Sequence, residues 1–174
     1  MPSAQELHDA LLRECRRRLF DESMPRIRRC LGELSEEEIW ARPNEQSNSM
    51  GNLVLQLCGN VGQYVLSGLG GAPDHRERPR EFSERGPVPR ADLLDRLERT
   101  MEEAGRVIDR LDAANLLRKR VVQGFDTDGL GILLHVVEHF SYHTGQIAYF
   151  VKARKGIDLG FYRGVNLNRT GRIA

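Results

Sequence analysis

From Gln46 to Pro73 the chain carries not one charged residue. Residues 50–69 have the spacing of a helix, and Ser49, at the end of the loop PNEQSNS, is placed to cap it. Leu53, Val54, Leu55, Leu57, Cys58, Val61, Tyr64, Val65 and Leu66 spread round most of its circumference. A helix that faces water normally shows Lys, Arg or Glu on one side, so this one has to be enclosed by the rest of the protein. Asn52, Gln56, Asn60 and Gln63 line up along it at helical spacing. Such a stripe either faces water near a dimer surface or, on an enclosed helix, requires polar partners inside.

Partners of that kind stand in the stretch GILLHVVEHFSYHTGQIAY, residues 131–149. His135, His139 and His143 recur every four residues, three of the chain's five histidines in one row on one helical face. Leu133, Val136, Val137, Phe140, Ile147 and Val151 surround them with apolar surface, so the imidazoles need hydrogen bonds or a ligand. We pair the amide stripe of the one helix with the histidine row of the other.

The remaining segments read as scaffold. Ser3 caps a first helix with an apolar stripe of Leu7, Leu11, Leu12, Cys15 and Leu19, and Pro25 is expected to end or kink it. Ser35 and Glu38 form a capping box for a brief turn carrying Trp40, expected to pack at the end of the helices. Residues 68–89, rich in Gly, Pro and Arg, form a long crossover or a partly mobile lid. A third helix, 90–111, is amphipathic, and residues 118–124 read as an extended linker. Thr127 or Asp128 caps the fourth helix and Gly156 stops it. Four long helical patterns without a strand pattern define an all-α protein, a single-domain four-helix bundle with a long crossover between helices 2 and 3.

A net charge of +1 gives no pull toward nucleic acid or membrane, and the loop arginines Arg76, Arg78, Arg80 and Arg85 are interleaved with Asp74, Glu77, Glu81 and Glu84. Three cysteines without CxxC spacing, no apolar leader and no membrane-length apolar run imply reduced thiols in a soluble, cytoplasmic protein. Cys58, on a different helical face from Gln56, is expected to be inert packing rather than a nucleophile.

Neighbouring histidines one turn apart converge on one ion, whereas the outer two of the row do not. His139 is common to either pair, and a third ligand has to come from another helix. The competing reading is a ladder of hydrogen-bonded core histidines. His135 to His139 also spells HxxEH, the inverted zinc-protease signature, but the only acid after His139 is Asp158, so that reading fails and Glu138 is a carboxylate that supports the site from outside it or a surface one.

The stretch NSMGNLVLQLCGNVGQYVLSGLGG, followed by HVVEHFSYHTGQIAYFVKARKGIDLGFY, resembles the DinB-like superfamily over most of the chain. The resemblance implies an up-up-down-down four-helix bundle, often dimeric, with a divalent metal (nickel, zinc or manganese) held by one histidine from the second helix and two from the fourth. The fourth-helix pair falls on His139 and His143, and the second-helix histidine falls on Gln56. A glutamine oxygen binds transition ions less tightly than imidazole. Gln56 as a weakened third ligand, His135 in its place, and loss of the metal are the three outcomes, the first being favoured because Asn52, Asn60 and Gln146 still supply surrounding polar groups.

Superfamily members with an assigned activity resemble thiol-dependent S-transferases and isomerases, so the implied chemistry is activation of a coordinated thiol or water toward a small-molecule substrate, with a low-molecular-weight thiol as partner. His135 is the candidate catalytic residue, moving a proton beside the metal, with Tyr142 or Glu138 assisting. The alternative is a non-catalytic homodimeric bundle that holds a small ligand and has lost its metal.

Overall fold

The computed structural model describes residues 3–171. Ser3 accepts the Glu6 N–H and Glu6 returns the bond, a capping box that opens α1, Ala4–Arg16. Pro25 does not end the helical path. The chain runs on through a π-helical stretch, Arg17–Ser23, into α2, Met24–Gly32, with helical dihedrals at both junctions. Met24 N–H reaches back five residues to the Leu19 carbonyl, so the turn widens just ahead of a ring that needs room and offers no N–H.

The short α3, Glu36–Trp40, carries the lone tryptophan into a slot made by two glycines. A Cβ on Gly51 or Gly86 would lie 2.7 Å from the indole, whose Nε1 donates to the Val88 carbonyl at 3.0 Å. Ser49 caps α4, Met50–Val61, through a box with Asn52, and a second π-helical stretch, Gly62–Leu69, prolongs it. Every residue from Met50 to Cys58 is buried, as the uncharged sequence requires. It packs against α6, Arg90–Ile108, whose Leu93, Leu97, Met101 and Ile108 supply fully buried core. The long α8, Gly129–Lys155, starts on Asp128, whose carboxylate accepts from Gly131 N–H, and stops at Gly156 in the left-handed region (φ 64°).

The expected linker at 118–124 is not a linker. After a short α7, Ala113–Leu117, the chain makes a β-hairpin of β1, Lys119–Val122, and β2, Phe125–Asp128. Gln123 and Gly124 both take positive φ, 55° and 81°, which twists the two-residue turn to match the strands. Strands of four residues are too short to show alternation, and Gln at a position that favours Asn or Gly hid the turn. The protein is therefore predominantly helical with one small sheet.

The segment that follows α4 packs down on it as a strap. It contains α5, Arg78–Ser83, and its Arg76 and Glu81 form a two-pronged ion pair at 2.8 Å with side chains only 6% and 8% exposed. Asn52 donates to the Glu81 and Glu84 carbonyls, both at 2.9 Å. Gly59 leaves the room for this, because a Cβ there would sit 1.8 Å from Glu81 Oε1. Removing one partner of a buried pair strands the other. Glu81→Ala is accordingly expected to cost roughly 3 kcal/mol in urea unfolding, whereas Glu77→Ala, which breaks an exposed pair with Arg80, should cost well under 1 kcal/mol.

Candidate metal centre

The two long helices α4 and α8 run antiparallel. Gly68 lies against Ile132, Tyr64 and Asn60 meet His135, and Met50 and Leu53 share a groove with Gln146 and Phe150. Gln56, one turn before Asn60, thus falls opposite the part of α8 that bears His139 and His143.

His139 Nε2 and His143 Nε2 face one another at 3.2 Å, their rings edge to face at 84°. The other nitrogen of His143, Nδ1, lies 2.7 Å from Gln146 Oε1, an acceptor that fixes the proton on Nδ1 and leaves Nε2 a bare lone pair. His139 Nδ1 is buried without a partner. If His139 donates through Nε2, its Nδ1 lone pair is stranded; if it is protonated on Nδ1, that N–H has no acceptor and two lone pairs oppose each other. Two imidazoles on one tetrahedral ion, with metal–nitrogen bonds of about 2.0–2.1 Å, place their nitrogens roughly 3.3 Å apart. The observed separation fits that requirement.

Among the described residues no three His, Cys, Asp or Glu side chains gather into a metal cage, so a third donor to an ion on the histidine pair would have to be of another kind, such as an amide. Gln56 is 4% exposed and its Nε2 has no partner. Turning the amide about its last bond exchanges nitrogen for oxygen and presents a neutral donor. Asn60 Oδ1 and Thr144 Oγ1 are also buried and unpartnered, so four of the five such atoms of the described residues belong to α4 and α8.

His135 is engaged away from the His139–His143 pair. Its Nε2 is 2.9 Å from Asn60 Nδ2 and its ring stacks on Tyr64, with centroids 4.1 Å apart and planes at 20°. The Tyr64 hydroxyl donates to Gln123 Oε1 at 3.0 Å, so the strained corner of the hairpin holds the phenol in place. Tyr64 was not among the expected residues, although it continues the series 52, 56, 60 by one more turn. Tyr142 instead packs at the edge of His143 and is largely exposed, and Glu138 is a surface carboxylate. The amide stripe is divided: Asn60 serves His135, whereas Asn52 holds the strap and Gln63 binds Arg76 and Asp74.

Burial pushes all three imidazoles below their ordinary range, and His139 falls to about 3, with the cationic forms of its neighbours and Arg76 and Arg78 adding to the effect. They are neutral at pH 7, the state in which imidazole binds a metal. Burial raises the Cys58 thiol to about 11, which leaves it protonated packing, as expected.

The chain belongs to the family described as "Protein of unknown function (DUF1572)", whose model matches residues 8–161. No curated protein matches it. Among solved structures it is similar to one described as "Crystal structure of the conserved protein of locus from Enterococcus faecalis", with a TM-score of 0.67 and 14% identity. That alignment covers 90% of this chain and 100% of the other, and at such identity it speaks for the fold alone.

The depressed histidines make stability depend on pH with a definite sign. Their folded pKa values lie below 6.5, so above pH 6.5 neither state is protonated and the contribution is complete; as pH falls, the unfolded chain takes up protons first and stability drops. We expect the urea midpoint of metal-free protein to fall between pH 7 and about 5, above the range where carboxylates titrate. His139→Gln should flatten that slope.

Proposed function

We propose that this is a divalent-metal-dependent enzyme of the DinB-like type, a four-helix bundle in which His139, His143 and the Gln56 amide hold nickel, zinc or manganese between α4 and α8. The observation that carries the reading is the opposed Nε2 pair at 3.2 Å, with His139 Nδ1 and, on the facing helix, the Gln56 amide left unpartnered. When bound, the ion would lower the pKa of a coordinated thiol or water and so supply a nucleophile at neutral pH.

The chain's own residues do the rest. Gln146 fixes the tautomer of His143, keeping its lone pair available. His135 is neutral and half-buried, and it is the group we assign to accept and return a proton, with Asn60 and Tyr64 fixing its ring plane. The substrate would be a small molecule, with a low-molecular-weight thiol as the second reactant. All three cysteines are free and buried, which supports a reducing, cytoplasmic setting. Exposed Leu134 and Tyr142 on the outer side of α8 support a homodimer.

A second reading is favoured by Gln56 itself: a non-catalytic, dimeric small-ligand-binding bundle whose metal site has degenerated. Elemental analysis of untagged protein separates the two. The enzyme reading expects a near-stoichiometric transition metal in the wild type, loss in His139→Ala, and tighter retention against chelator in Gln56→His. A wild type that stays empty after incubation with zinc, nickel and manganese, while Gln56→His fills, would establish the second.

A further inference from the structure

Beside the histidine pair, the loop after α3 and the last turns of α8 enclose a groove of about 680 Å³. Met50, Leu53 and Phe150 contribute apolar surface, and Gln146, the residue that holds His143, forms part of the wall. Two guanidinium groups, Arg42 and Arg154, line it, and no acidic side chain does.

Arg42 is the unusual member. Its Nη2 donates to Asn52 Oδ1 at 2.9 Å and to the Phe82 carbonyl at 2.8 Å, which fixes the plane of the group between α4 and the strap. Nε is buried with no partner, the only arginine nitrogen among the described residues in that condition. Of the two groove arginines Arg154 stands on Glu38, whereas among the described residues no carboxylate pairs with Arg42, a condition it shares with Arg90 and Arg120. A half-buried cation held by neutral acceptors is short of an anion, and with both Nη2 hydrogens taken, Nη1 is the nitrogen left to give a carboxylate a charge-assisted hydrogen bond.

We infer that the groove binds a small amphipathic carboxylic acid, its carboxylate on Arg42 and its apolar body over Leu53 and Phe150, next to Gln146 and His143. The volume is in the range of small-molecule sites, and a lining with two cations and no acid selects for the anionic form. As the substrate class of the metal centre, this rests on the enzyme reading. The binding itself needs no metal, so the two fail separately.

Phenylbutyrate and its neutral twin, phenylbutanamide, would be titrated into chelator-treated, metal-free protein and followed by NMR. The acid is expected to shift the resonances of Leu53, Tyr149 and Phe150 and to bind at least tenfold more tightly than the amide. Arg42→Gln should abolish that preference. Ala153→Trp, which fills the groove without touching Arg42, should block both compounds, and it tests the site even where Arg42→Gln loosens the strap. Phenylbutyl phosphate binding more tightly than the acid would replace the carboxylate assignment with a phosphate one. Equal binding of acid and amide, no binding of the acid to wild type, or a preference that survives in Arg42→Gln would overturn the inference and leave Arg42 as a pin between α4 and the strap.

Discussion

The burial of an uncharged helix governs this structure. With Met50 to Cys58 out of water, every polar atom on α4 has to find its partner within the protein. Asn52 meets that demand with carbonyls of the strap and Asn60 with His135, so α5 and the histidine row of α8 are both positioned by one helix. The core and the site are consequently one packing problem. The demand goes unmet at Gln56 Nε2 and Asn60 Oδ1 on α4, and at His139 Nδ1 on α8.

The same enclosure sets the electrostatics. Desolvation keeps the imidazoles neutral, and the cationic strap residues Arg76 and Arg78 push His139 in the same direction. Arg76 is itself neutralised by Glu81, so it can lie near the site without filling it. The positive character that remains is displaced to Arg42, where it faces a groove instead of the histidines. A proposed cation site and a groove lined by two guanidinium groups thus lie on one pair of helices.

Much of this was legible in the sequence because it depends on local pattern. Ser49, Asp128 and Gly156 announce their helix ends through caps that involve only nearby residues, and the four-residue spacing of the histidines fixes their common face whatever surrounds them. What escaped depends on meetings across the chain. Tyr64 reaches His135 and Gln123 only once the hairpin is folded, and no run of charges distinguishes Glu81, which is buried, from Glu77 four residues earlier, which is exposed. Pro25 misled for a related reason: its ring is accommodated by a widened turn upstream, which periodicity does not register.

Gly59 ties two distant positions into one unit of inheritance. Because its missing side chain is the space that Glu81 occupies, a larger residue at 59 is compatible only with a strap that has given up its carboxylate or moved away from α4. Across relatives the two positions should therefore change together, and a Gly-to-Ala replacement at 59 should be accompanied by loss of both the acid at 81 and the arginine at 76. The glycine is thus a marker of how the crossover is attached, readable from sequence in chains whose structures have not been determined.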